Sequence, residues 1–513
     1  MSEILEENLN KLAYGTFLLL IGFFFGKMFS YIFRLVIARN GASEYGIFSL
    51  GVTILGVITI GCLIGLDRGI TKFVSHYNAK NDKIMIKSYI NTSLKITAIW
   101  SIIIGIFLFF LSDIISINIF NKPELSIVLK IFSVLLPFYI LGQMFISIMT
   151  AYQKIKYVTF ISIFQYGLTL LLLIVLMFYN VSNISGALAY TLAFIISGII
   201  SLFIVKLRIF NFFDKSIKTV DVSKSLRNFS LPLMFNNFVE YLIISLDMLL
   251  IGYLLTSPDI GVYSAAYVTT QLISLLPAVL MWVFAPALSD LFAKNLHKEA
   301  KEIFIQSSRW IFIIAIPVVS FSIFFSRSIM NSLFGHEYLS GSLAFMILSI
   351  SIFILSLSSI ERKSLEISNH PKKLLYYSLF AFIINLALNL YLIPLYGILG
   401  SAIANIITFT IYSGLCIYKS KKELNFVQDY SKYILPTIMA FVSALIFYYL
   451  AYISKIRLGF TVLGIMSLMH FFAYLILLRL TNSIDKNDVH LVKSLYKNIK
   501  NIGKNKLNLK RNS

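Results

Sequence analysis

The sequence predicts an all-α, polytopic membrane protein of about fourteen transmembrane helices, and three observations carry that expectation. Of its 513 residues, 58% are hydrophobic and only 13% are charged, and the mean hydropathy of +0.84 lies outside the balance of a soluble globular chain. Apolar windows recur from Leu12 almost to Thr481, each near the roughly 20 helical residues that cross a hydrocarbon core of about 30 Å. Basic residues gather in alternate gaps between those windows, as membrane insertion requires.

In chain order the windows are 13–36, 45–66, 89–112, 125–150, 157–179, 183–207, 228–255, 261–288, 303–326, 342–360, 372–393, 397–418, 430–453 and 458–480. Continuous apolar runs of this length fit helices rather than barrel strands. One set of connections carries Arg68, Lys72, Lys80, Lys83 and Lys87, then Lys154 and Lys156, then Lys206 to Arg227, Lys294 to Lys301, Arg362 to Lys373 and Lys419 to Lys432. The other set offers only Arg39, Lys122, Arg327, Lys455 and Arg457. With both termini counted, about 33 basic residues fall on the first side and about 5 on the second, so both ends are expected in the cytoplasm of a multi-pass cell-membrane protein. A missed span would scramble that alternation, so the charges support the helix count independently.

The formal net charge of +21 is therefore explained by orientation, not by nucleic acid, which would require a basic soluble face. Cys62 and Cys416 lie far apart inside apolar windows, and the six histidines have no ligand spacing, so neither a disulfide nor a metal site is expected. The acidic start, with Glu3, Glu6 and Glu7, lacks the basic region of a removable signal peptide. The tail from Lys486 to Arg511 is basic enough to touch anionic membrane lipids, although a solvated tail that only fixes topology is the favoured reading.

Two landmarks point to an internal repeat. Glu44-Tyr45-Gly46-Ile47-Phe48-Ser49 opens the second window, and Asp259-Ile260-Gly261-Val262-Tyr263-Ser264 opens the eighth, 215 positions later. Ile184-Ser185-Gly186-Ala187 and Ile398-Leu399-Gly400-Ser401 enter the sixth and twelfth at an offset of 214. Six intervening helices make the copies parallel, an arrangement of transporters that rock two lobes around a cavity. The expected organisation is two parallel-related six-helix lobes, 1–210 and 211–425, two additional transmembrane helices in 426–482, and a basic cytoplasmic tail, 483–513.

Ionisable groups at membrane depth cost about 2.5–3.5 kcal/mol each on insertion scales, so they normally face a cavity or a partner. The first window carries Lys27 and Arg34, and its counterpart, the seventh, carries Glu240 and Asp247. Each pair is seven residues apart, two turns along one face and about 10 Å. Lys27 and Glu240 are expected near mid-depth, Arg34 and Asp247 nearer the outside, with Lys27–Glu240 and Arg34–Asp247 contacts in at least one state. Fixed structural pairing is the competing reading. Lys95 adds a positive charge to the first lobe, whereas Lys130 fits snorkelling to an interface. Asn385 and Asn389 share a face at i,i+4, a spacing that helix packing explains. Pro137, Pro232, Pro277, Pro286, Pro317 and Pro436 fall within or at the ends of windows, where a missing amide donor permits kinks that would serve a rocking cycle, although single prolines are more often ordinary features of membrane helices.

Phe33-Arg34-Leu35-Val36-Ile37-Ala38-Arg39, Glu44-Tyr45-Gly46 and Gly65-Leu66-Asp67-Arg68-Gly69 resemble the opening of polysaccharide flippases in the multidrug/oligosaccharidyl-lipid/polysaccharide exporter superfamily. Asp247 to Gly252, Gly261 to Ala266, Phe334-Gly335-His336-Glu337-Tyr338 and Asn385 through Gly400 resemble later patterns of the same family. The resemblance implies two six-helix lobes, alternating access, no enzymatic activity and no cofactor. It also implies a lipid-linked oligosaccharide, on a polyprenyl diphosphate or polyprenyl phosphate, as the partner within a cationic cavity. Energy would come from cargo flux or from H+ or Na+, with Glu240 and Asp247 as the carboxylates suited to ion coupling. Same-fold alternatives are a cation-coupled drug or metabolite exporter and a peptidoglycan-precursor lipid flippase. An enzyme fits poorly, because no nucleotide-binding glycine loop, catalytic carboxylate pair or nucleophile elbow occurs, and no connection is long enough for a folded catalytic domain.

Overall fold

A computed structural model of the chain describes residues 3–179, 181, 184–368, 371–455, 458–481 and 483; the basic tail from Lys486 lies outside these, as do the side chains of 3–17, Asn236, Glu240, Leu276, Val279, Trp282, Val283, Pro286, Pro371 and Lys372. Every described element of regular structure is helical. The helices are α1 (Glu3–Ala38), α2 (Ala42–Leu63), α3 (Leu66–Ala79), α4 (Lys83–Asp113), α5 (Glu124–Ala151), α6 (Ile155–Phe178), α7 (Ser185–Ile204), α8 (Ser223–Leu254) and α9 (Ser257–Ala293). They continue as α10 (His297–Phe324), α11 (Ser326–Phe334), α12 (Ser342–Leu357), α13 (Ser359–Ile367), α14 (Pro371–Tyr396), α15 (Ile398–Leu424), α16 (Ser431–Ile453) and α17 (Phe460–Leu480).

Each of the fourteen expected windows falls on a helix, but the count needs refinement. Twelve helices among the described residues are long and apolar enough to cross a membrane, and a thirteenth joins them if α8, bent by 43° between Ser223–Val239 and Tyr241–Leu254, is one span. The bend lies well beyond Pro232, a candidate bending point, and brackets Glu240. The window 261–288 lies on α9, a continuous helix of 37 residues.

Three short helices, α3, α11 and α13, were hidden in stretches too polar to register as spans. In α3 the apolar residues Leu66, Ile70 and Val74 recur at i,i+4,i+8 and bury themselves among Ile86, Tyr89, Ile90, Met144, Phe145 and Ile148 of α4 and α5. That stripe is the 3.6-residue period of an amphipathic helix, and it leaves Arg68 and Lys72 on the other face.

By packing, the chain divides into two compact units: residues 18–265 with 378–404, and residues 1–17 with 266–377 and 405–513. In the first, buried lysines secure irregular backbone. Lys87 donates to the carbonyls of Asp214 and Ile217 at 2.5 and 2.7 Å, tying down the segment between α7 and α8. Lys122 donates to Phe120, Gly252 and Leu255 carbonyls at 3.0, 2.6 and 2.8 Å. It caps the C-terminus of α8, where unpaired carbonyls and the negative end of the helix dipole favour a cation. Burial pulls its pKa below the usual lysine value, against the pull of Asp259 and Glu124. This explains one of the few basic residues on the otherwise bare side of the sequence.

In the second unit, α17 is joined to α10 and α16 through buried His470. Its Nε2 lies 3.0 Å from the Pro317 carbonyl, which can only accept, so Nε2 carries the proton. Nδ1 then accepts from the Ser443 hydroxyl at 3.1 Å. Phe321 stacks on the imidazole at 5.7 Å.

Candidate functional site

Three groupings within residues 18–265 and 378–404 carry chemistry. The first is where α2 and α9 begin. A Cβ on Gly46 would stand 2.2 Å from the Ser257 carbonyl oxygen, and one on Gly261 would stand 1.9 Å from the Ala42 carbonyl oxygen. Gly46 corresponds to Gly261 and Ala42 to Ser257 at the offset of 215, so each glycine faces the counterpart of its partner's neighbour. One turn further in, the Ser264 hydroxyl donates to that of Ser49 at 2.8 Å, joining two positions that are themselves equivalent. Such reciprocity is what a local two-fold axis produces. The two N-termini cross backbone to backbone, and only glycine permits the approach.

The second grouping surrounds Asp247. Its side chain is 2% exposed; one oxygen accepts from Tyr263 Oη at 3.0 Å and the other from Asn389 Nδ2 at 3.0 Å. Ser401 donates to Tyr263 Oη at 3.3 Å, and Asn389 Nδ2 also reaches the carbonyl and Oδ1 of Asn385 at 2.9 and 3.1 Å. Asn389 Oδ1 is buried without a hydrogen-bond partner. The cluster thus gathers a carboxylate and amide oxygens away from solvent, a donor set suited to a proton or a hard monovalent cation. Among the described residues, Arg34 and Asp247 form no ion pair in this conformation. Asn389, whose spacing helix packing also explains, donates to the carboxylate, and Asn385 adjoins Asn389. The i,i+4 spacing was legible, but nothing in sequence aimed it at Asp247.

The third grouping surrounds Arg34 on α1. The half-buried guanidinium acts electrostatically on Tyr166 of α6, Tyr190 of α7 and Tyr241 of α8, and on Lys27 two turns away. Tyr139 of α5 interacts with the same tyrosines. Tyr190 and Tyr139 stack on Phe194 at 4.2 and 5.2 Å. Tyr241 donates to the Thr53 carbonyl at 3.3 Å. Three tyrosines from three helices therefore share one cationic neighbourhood, with Tyr139 beside them, an arrangement that no sequence motif announces. Lys27 is exposed, with Nζ 5.7 Å from the Phe23 ring centre. Glu240 lies on α8 with its side chain outside the described residues, so the Lys27–Glu240 contact stays an expectation. Lys95 is exposed on α4, remote in sequence from these contacts. Lys130 pairs with Asp113 at 2.9 Å.

One more basic feature escaped the sequence reading. Arg68 and Lys72 of α3 border a cavity of 330 Å³ with Asp67, Thr71, Ser75 and Ser147. Lys72 Nζ sits 3.9 Å over the Phe229 ring. The signal available was the i,i+4 spacing of two cations inside an amphipathic stretch.

The profile of the family described as polysaccharide biosynthesis protein matches residues 12–292, and that of the MatE family matches 232–392. A probable low-salt glycan biosynthesis flippase of Haloferax volcanii is 26% identical over 189 residues, covering 37% of this chain and 40% of that protein. A putative O-antigen transporter of Shigella flexneri is 20% identical over 381 residues, covering 71% and 86%. Among solved structures, the lipid II flippase MurJ in an inward closed conformation superposes with a TM-score of 0.70 at 16% identity, covering 89% of this chain and 97% of that one. An inward-facing multidrug resistance transporter of the MATE family gives 0.68 at 13% identity, covering 78% and 94%. At such identities these two likenesses speak for the fold.

Proposed function

We propose, because this chain belongs to the polysaccharide biosynthesis protein family of the multidrug/oligosaccharidyl-lipid/polysaccharide exporter superfamily, that it is a flippase moving a lipid-linked oligosaccharide from the cytoplasmic to the outer leaflet. The observation that carries this reading is the reciprocal crossing of α2 and α9. Equivalent elements of two repeats meet on a local two-fold at one end, the kind of contact that must form and break once per cycle in alternating access. With both termini cytoplasmic, as the basic connections argue, that end is the outer one. The lobes 1–210 and 211–425 are the bodies that rock.

Lys27 and Arg34 supply positive charge for the phosphate or diphosphate of the carrier lipid, with Lys95 adding to the same field. Tyr139, Tyr166, Tyr190 and Tyr241 offer flat apolar faces and hydroxyls, the combination that receives a sugar ring. Arg68 and Lys72 suit a first encounter with the anionic headgroup at the cytoplasmic surface. Asp247 is the coupling carboxylate for H+ or Na+, with Glu240 its candidate companion near mid-depth. A second reading, a cation-coupled exporter of the same fold, is favoured by the MatE match over 232–392 and the buried Asp247 cluster.

The test is reconstitution in vesicles with a fluorescent polyprenyl-diphosphate oligosaccharide. Label should reach the opposite leaflet only in vesicles containing protein, and K27A and R34A should slow it. Equal label movement in protein-free vesicles would refute the activity. Uptake of a lipophilic cation without movement of the labelled lipid would select the second reading.

A further inference from the structure

A cavity of 370 Å³ lies within the second unit, bordered by Phe312 of α10, Glu361 of α13 and Gln428, Tyr433, Ile434 and Ile438 at and beside the start of α16. Its walls are mostly hydrocarbon, with one charged group at the base. Glu361 is 2% exposed. Its Oε1 accepts from Gln428 Nε2; Gln428 is oriented in turn by Tyr433, whose hydroxyl donates to Oε1 of the amide at 2.8 Å. Glu361 Oε2 has no hydrogen-bond partner.

The nearest cation in sequence, Arg362, does not supply one. Its guanidinium donates to the Leu355 carbonyl at 3.1 Å and lies over the Tyr412 ring at 5.7 Å. An ionised carboxylate oxygen buried without a donor is costly unless the group takes up a proton, and a ligand that brings both positive charge and N–H groups satisfies it in the charged form. The other side of the cavity determines what carries that charge. Ile434 and Ile438 are 61% and 47% exposed on α16, a helix long and apolar enough to cross a membrane, so the opening faces acyl chains.

We propose that this cavity binds a membrane phospholipid with a primary ammonium headgroup, its N–H groups on Glu361 Oε2 and its chain along Ile434 and Ile438. A primary ammonium has three donors and is compact enough to reach a recessed carboxylate. A trimethylammonium headgroup has no N–H to offer, and a glycerol headgroup has no positive charge, so the site discriminates among lipids of identical chains.

The experiment uses the purified full chain in detergent, titrated by native mass spectrometry with chain-matched phosphatidylethanolamine, phosphatidylcholine and phosphatidylglycerol. The native protein should retain phosphatidylethanolamine about tenfold better than either of the others, from a charge-assisted contact. E361Q keeps the shape of the side chain and should bring the three lipids within about twofold, with an unchanged unfolding temperature in lipid-free detergent. I434W narrows the opening while leaving the carboxylate in place, and should lower phosphatidylethanolamine retention even if E361Q fails to fold. Equal retention of all three lipids by the native protein would overturn the proposal, as would a preference for phosphatidylglycerol. So would a phosphatidylethanolamine preference that survives both substitutions.

Discussion

Replacing Gly261 by alanine adds one methyl group where α2 and α9 cross, and the structure fixes what that group meets. The new Cβ would lie 1.9 Å from the Ala42 carbonyl oxygen; its symmetric counterpart, G46A, would lie 2.2 Å from that of Ser257. Both obstacles are backbone, so no rotamer change relieves them. Ordinary carbon–oxygen contact begins near 3.3 Å, so the helix ends must separate by roughly 1 Å or more. Overpacking of this kind costs about 1–3 kcal/mol, a factor of about 5 to 150 in the population of the crossed state relative to any state in which the helices part. The Ser49–Ser264 bond, 2.8 Å long and one turn away, would be lost with it. Disulfide formation in an S49C/S264C protein, with buried Cys62 and Cys416 replaced by alanine, reports that population directly. At equilibrium in membranes the ratio of cross-linked to free-thiol protein should fall at least about fivefold in G261A and by a similar factor in G46A, because the two contacts are reciprocal. Unchanged cross-linking in G261A would refute the closure reasoning. A large difference between the two glycines would refute the local two-fold.

Other substitutions probe separate groups. D247N removes the charge but leaves an oxygen to accept from Tyr263; lipid movement driven by an imposed H+ or Na+ gradient should fall to the level without a gradient, and full gradient dependence in D247N would exclude Asp247 as the coupling group. Y263F should produce a smaller loss in the same assay, since Asn389 still holds the carboxylate. Lys122→Met leaves three carbonyls without their donor and should destabilise the protein by about 2–4 kcal/mol, read as a lowered unfolding temperature in detergent. His470→Phe removes the links to Pro317 and Ser443 and should cost about 1–3 kcal/mol, with proteolysis between α15 and α16 rising before the rest of the chain unfolds. Exchanging Lys27 and Glu240 should restore folding but not full flipping if the charges meet cargo; complete recovery of transport would make them structural partners only.

Much of the architecture was legible because a bilayer imposes one rule on every span: apolar side chains outside and all backbone hydrogen bonds within the segment. Windows of about 20 residues and alternation of basic connections were enough to read an all-helical polytopic fold, and two landmarks at nearly one offset to expect an internal repeat. The repeat was visible in Gly46 and Gly261 because close backbone approach admits no other residue, and a requirement that strict leaves its mark in sequence. Lys27, Arg34 and Asp247 were visible for the opposite reason, that charge at membrane depth is too costly to be incidental.

Proximity between helices far apart in sequence was decided by tertiary structure alone. Asn389 carries no sign that it meets Asp247 across 142 positions, and Tyr166, Tyr190 and Tyr241 are ordinary aromatic residues of apolar helices until they gather near Arg34, with Tyr139 beside them. Helix α3 went unread because half of its surface is polar, and hydropathy averaged over a span erases a face. Period and composition are local quantities that a linear chain records. The partner chosen by a buried polar group is set by how helices pack, and packing is a property of the folded whole.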